Sequence, residues 1–69
     1  MSDIKIGDEV TWNTPQGQTH GRVVERRTKD FQLAQQKFTA SQDEPMFIVE
    51  SAKSGRRAAH QENALHPRR

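Results

Sequence analysis

Val10 and Trp12 stand two residues apart in the run Gly7-Asp8-Glu9-Val10-Thr11-Trp12-Asn13, with Glu9, Thr11 and Asn13 between and around them. A pleated strand sends alternate side chains to opposite faces, so this run predicts an apolar face under Val10 and Trp12 and a polar face above. Asn13-Thr14-Pro15-Gln16-Gly17 then predicts a tight turn, with proline presetting a φ of about −65° and glycine supplying the positive φ. A second strand follows from about Gln18 to Arg27. Gly21 interrupts it, which marks a bulge or a close backbone approach, and Val23 is expected to face inward with Val24 covering a second layer. Two strands and a turn therefore commit the chain to a half-buried β-sheet.

The composition limits how that sheet can be stabilised. In 69 residues only 30% are hydrophobic and mean hydropathy is −1.06, so nearly every large apolar residue is needed in one compact core. Met46-Phe47-Ile48-Val49-Glu50 is too apolar for a strand with one wet face and is expected to be an interior strand. Ser51-Ala52-Lys53-Ser54-Gly55 predicts the next turn, Arg56 to His60 the returning strand, and Gln61-Glu62-Asn63-Ala64 a 3₁₀ turn that drops Leu65 into the core. Ile4 and Ile6 share parity with Val10 and Trp12 and are read as a lead-in to the same face. Residues 28–45 read as an extended hairpin excursion on the alternation of Phe31-Gln32-Leu33, although Ala34-Gln35-Gln36-Lys37-Phe38 would also suit a helical turn and a loop stays open. The prediction is a single all-β domain over residues 1–69, a small barrel of about five short strands. Its core spans about residues 4–66, with a frayed start at 1–3; His66-Pro67-Arg68-Arg69 reads as an edge strand remnant or a disordered end, with disorder expected at 67–69. The expected core is Val10, Trp12, Val23, Phe47, Val49 and Leu65.

Several classes of function are disfavoured by residue type. Without cysteine there is no disulfide, thiolate metal site or cysteine nucleophile. No leader or membrane-length apolar run occurs, so a soluble cytoplasmic monomer is expected, with no membrane contact. His20, His60 and His66 are the only imidazoles; His20 and His60 could meet across strands near Asp30, but their spacing matches no metal or catalytic pattern. No cofactor, metal or enzymatic activity is expected.

Binding is the remaining class. Residues 1–52 carry six basic and eight acidic side chains, and residues 53–69 carry five basic and one acidic, a basic tail suited to an acidic or nucleic-acid contact. Arg22, Arg26, Arg27, Lys29, Arg56 and Arg57 are the basic candidates, Arg22 and Arg26 sharing strand parity. Interspersed Glu25, Asp30, Glu50 and Glu62 instead suit a solvated face with cross-strand ion pairs. Phe31 and Phe38 are the aromatic candidates, marking a partner surface if both are exposed. A coherent basic patch favours nucleic acid, and the absence of both features would favour a purely structural or stress-related role.

These motifs, together with Gly21-Arg22-Val23-Val24, Thr28-Lys29-Asp30, Ala40-Ser41, Asp43-Glu44-Pro45-Met46-Phe47-Ile48-Val49-Glu50-Ser51, Lys53-Ser54-Gly55, Ala58-Ala59-His60 and Ala64-Leu65, resemble the hypervirulence-associated TUDOR-like domain family of small bacterial and fungal proteins. The resemblance runs over about residues 4–66. It implies an SH3/TUDOR-like barrel with no established molecular activity and no catalytic residues. A TUDOR aromatic cage for methylated side chains would need several exposed rings, and the core has first claim on Trp12 and Phe47. The expectation is a non-catalytic interaction module for a protein or peptide, with a nucleic-acid-binding barrel as the alternative.

Overall fold

The computed structural model describes residues 4–33 and 35–68. The frayed start at residues 1–3, Ala34 of the excursion and Arg69 of the tail lie outside the described residues. Among the described residues seven strands form two sheets: β1 (Glu9–Thr14), β2 (Gly17–Arg27), β3 (Phe31–Leu33), β4 (Gln36–Phe38), β5 (Met46–Ser51), β6 (Arg57–Gln61) and β7 (His66–Pro67), with a 3₁₀ turn at Glu62–Ala64 before β7. Five of them make the main antiparallel sheet in the order β6-β5-β2-β1-β7, and β3 pairs with β4 separately. The excursion is thus a hairpin, as its alternation predicts.

Inside the main sheet the alternation works as steric arithmetic requires. Val10, Trp12, Val23, Phe47, Val49 and Leu65 all lie in one buried cluster with Ile4, against which Ala58 packs. Leu65 arrives there because the 3₁₀ turn closes with its N–H donating to the Glu62 carbonyl at 3.0 Å. Met46 and Ile48 are also buried but lie outside that cluster. They alternate with Phe47 and Val49 and so point to the opposite face, which makes β5 apolar on both sides. An interior position for β5, between β6 and β2, is what such a strand requires.

Two backbone events override simple parity. Gly7 takes φ 95°, a conformation closed to most side chains, and the turn it allows is pinned by Gly7 N–H to the Val23 carbonyl (2.7 Å) and Val23 N–H to the Asp8 carbonyl (2.9 Å). Ile4 stays in the core while Ile6 is thrown outward with 64% of its surface exposed, so the expected shared face of Ile4 and Ile6 is corrected. On β2 the register against β5 slips between Val23 and Glu25, leaving Val24 as the extra residue of a β-bulge. Gly21 is not that bulge. It is the close approach, where a Cβ would strike the Glu50 carbonyl oxygen and come within 2.9 Å of the Trp12 ring.

The sheet is open. β6 and β7 are its two edges, and no ladder joins them among the described residues; the expected barrel is therefore not closed by hydrogen bonds. The short 3₁₀ turn carries the chain across that gap, and only two residues of β7 pair with β1. The ladder nevertheless runs past residue 66: Pro67 pairs with Val10, and Arg68 N–H donates to the Glu9 carbonyl at 2.9 Å. Of the two expectations for this end, the edge strand is the one formed at His66–Pro67. No helix among the described residues is long and apolar enough to cross a membrane.

Candidate functional site

The bulge at Val24 redistributes the predicted basic set. Arg22 pairs with Glu50 on the outer face, whereas Arg26, beyond the bulge, pairs with Phe47 of the inner face. Equal parity would have put both arginines on one flank. One extra residue separates them, and the expected shared flank of Arg22 and Arg26 is corrected.

On the outer face charges alternate from strand to strand. In cross-strand register stand Arg57 of β6, Glu50 of β5, Arg22 of β2 and Glu9 of β1. Arg57 Nε lies 3.4 Å from Glu50 Oε2, an exposed pair of the kind that contributes ~0.2–1 kcal/mol. A depression of about 480 Å³ opens beside this row, lined by Glu9, His20, Arg22, Glu50 and Arg68 among others. Its charges are mixed, and opposite signs already face one another across it.

The aromatic candidates meet on the β3–β4 hairpin. Phe31 and Phe38 are cross-strand partners whose rings stack with centroids 5.3 Å apart and planes inclined by 18°. Both are half-buried. The Arg27 guanidinium sits 5.6 Å from the Phe31 centroid and is held at 3.1 Å by Glu25, a cation–π arrangement with its own counter-ion. Lys29 is exposed in the bend between β2 and β3, and Asp30 Oδ1 closes the hairpin base by accepting from Ala40 N–H at 3.2 Å. The aromatic pair thus forms a half-exposed platform, and the large hydrophobic residue left mostly exposed among the described residues is Ile6 instead.

At the opposite end of β2, a groove of about 660 Å³ runs between the β1–β2 turn and the β5–β6 turn. Trp12 and Ala58 line it together with Pro15, Gln18, Lys53, Arg56 and Arg57. Both depressions are open to solvent, so neither is the enclosed pocket that excludes water from a reaction. Lys53 was absent from the predicted basic set. Its signal was the turn it occupies, three residues before Arg56-Arg57 in the basic tail.

The imidazoles do not assemble. His20 pairs with Thr11 on the outer face, while His60 is on the inner face opposite Phe47, its ring centroid 5.8 Å from that of Trp12. Among the described residues, no three His, Cys, Asp or Glu side chains gather as metal ligands. Trp12 itself is 3% exposed, too covered to serve as a cage ring.

Burial lowers the His60 pKa below its ordinary value of 6.5, because the imidazolium loses hydration. The unfolded chain then binds the proton more readily than the folded one. Stability is fully present above 6.5 and falls as pH drops through the depressed folded value. Thermal unfolding midpoints are expected to fall between pH 7.5 and pH 5, and more steeply than in His60→Gln; equal slopes would show that the His60 proton is not the cause.

An open antiparallel sheet with a 3₁₀ turn before its last strand defines a small all-β domain. A sequence model described as the TUDOR domain of hypervirulence-associated proteins matches residues 7–65. The chain belongs to that family. Searches of curated proteins and of solved structures find no significant match.

Proposed function

We propose that this domain is a non-catalytic interaction module that binds a protein or peptide partner, working as a cytoplasmic monomer on an SH3/TUDOR-like half-barrel. The observation that carries the reading is the platform of Phe31, Phe38 and Arg27. Aromatic rings and arginine are the side chains that dominate binding energy at protein interfaces. Here the stack and the Glu25 pair hold them in place before a partner arrives, which reduces the ordering cost of association. Family membership supports an interaction role and leaves the partner open.

A peptide array probed with the purified domain tests the reading. Peptides that bind the wild type are expected to bind Phe31→Ser/Phe38→Ser about 30-fold more weakly, the loss of ~2 kcal/mol typical of a hot spot. The indole resonance of Trp12 reports that the variant is folded. Undiminished binding by a folded variant sinks the platform.

Nucleic-acid binding is the second reading, favoured by Arg22, Arg26 and Lys29 forming no ion pair among the described residues. Titration with a mixed-sequence single-stranded oligonucleotide at low ionic strength decides it. Phosphate contacts are strongest there, so no binding under those conditions removes this alternative.

A further inference from the structure

The geometry points to the groove between the β1–β2 and β5–β6 turns as a docking site for an acidic peptide segment of a partner. The inference rests on the interaction-module reading and names the chemistry of the segment bound. Every ionisable side chain lining this groove is cationic: Lys53, Arg56 and Arg57. The neighbouring depression differs, since Glu9 and Glu50 line it beside its basic groups. Arg57 is shared with Glu50, but Lys53 and Arg56 have no carboxylate partner among the described residues.

Two serines of the wall, Ser51 and Ser54, can donate as well. Ser51 Oγ accepts from Lys53 N–H and Ser54 Oγ accepts from Arg56 N–H, each at 3.3 Å. A hydroxyl that accepts still has its own proton to give, so both serines can donate towards a ligand. Ionised carboxylates only accept, and they match a wall of ammonium, guanidinium and hydroxyl donors. Pro15 and Ala58 offer apolar contact to side chains lying between the acids.

Nucleic acid fits this groove less well. A single strand needs rings on which its bases stack, and the one ring lining the groove, Trp12, is buried. A phosphate backbone continuing along the outer face would also meet Glu50 and then Glu9 in the alternating row.

The test is an amide-resonance titration of the whole chain with hexaglutamate, hexalysine and a short oligothymidylate at matched ionic strength. Hexaglutamate is expected to shift Gly17, the Trp12 indole and residues 53–58, and hexalysine to shift none of them. Lys53→Glu/Arg56→Glu, checked for folding by its Trp12 resonance, is expected to bind hexaglutamate about tenfold more weakly or less. Shifts centred on other residues, or unchanged affinity in that variant, overturn the proposal. Tighter binding of oligothymidylate in the groove overturns it in favour of nucleic acid. If hexaglutamate fails while wild-type chain still binds array peptides through Phe31 and Phe38, the groove proposal falls and the module reading stands.

Discussion

Trp12→Ala unfolds most of the domain. The ring lies across Gly21 on the inner face and faces His60, with 3% of its surface exposed. Removing a buried tryptophan leaves a cavity that costs ~3–5 kcal/mol. A single core in a chain this short rarely supplies more than about that amount. Circular dichroism in a urea series is the appropriate measurement, because Trp12 is the only tryptophan and its fluorescence disappears with the substitution. A variant that keeps its sheet signal and loses only a binding activity would put Trp12 at a surface site and refute its core role.

Gly21→Ala is the second large effect, and it acts through the backbone. At an unstrained position, glycine to alanine stabilises by about 0.4–1 kcal/mol because the unfolded chain has less freedom to lose. At residue 21 the added methyl meets the Glu50 carbonyl oxygen on one side and the Trp12 ring on the other. The carbonyl belongs to β5, whose pairing with β2 holds the centre of the sheet, so it has little room to retreat. Overpacking of this kind costs on the order of 3 kcal/mol. Urea midpoints of the two proteins measure it, and an unchanged or raised midpoint in Gly21→Ala would refute the close approach.

Legibility in the sequence followed the range over which each cause acts. Val10, Trp12, Val23 and Val49 were readable because strand period and turn residues are local. The positive φ of Gly17 was readable for the same reason. Ile6 was not, since its outward turn depends on Gly7 and Asp8 bonding to Val23, well along the chain. Nor was the bulge. Which of Val23, Val24 and Glu25 goes unpaired is settled by what β5 places opposite, and that choice sent Arg26 to the face opposite Arg22. The openness of the sheet depends on how β6 and β7 sit relative to one another, again a tertiary matter. The aromatic platform was half legible: Phe31 and Phe38 could be named, but their stacking required the β3–β4 register that sets Phe31 opposite Phe38. The groove was least legible, because Trp12 of β1, Pro15 of the β1–β2 turn, and Lys53 and Arg56 of the β5–β6 turn meet only in the folded sheet.

The β3–β4 hairpin has a kinetic consequence. β1 with β2, and β5 with β6, are each joined by short local turns and can form early, but β2 meets β5 only after residues 28–45 loop back. If β3 and β4 pair first, they gather the middle of that loop and roughly halve the free chain to be closed, lowering the closure cost by about 0.6 kcal/mol. The element that presents Phe31 and Phe38 also shortens the slowest search in the folding of the sheet, so changes there act on the rate of assembly as well as on binding.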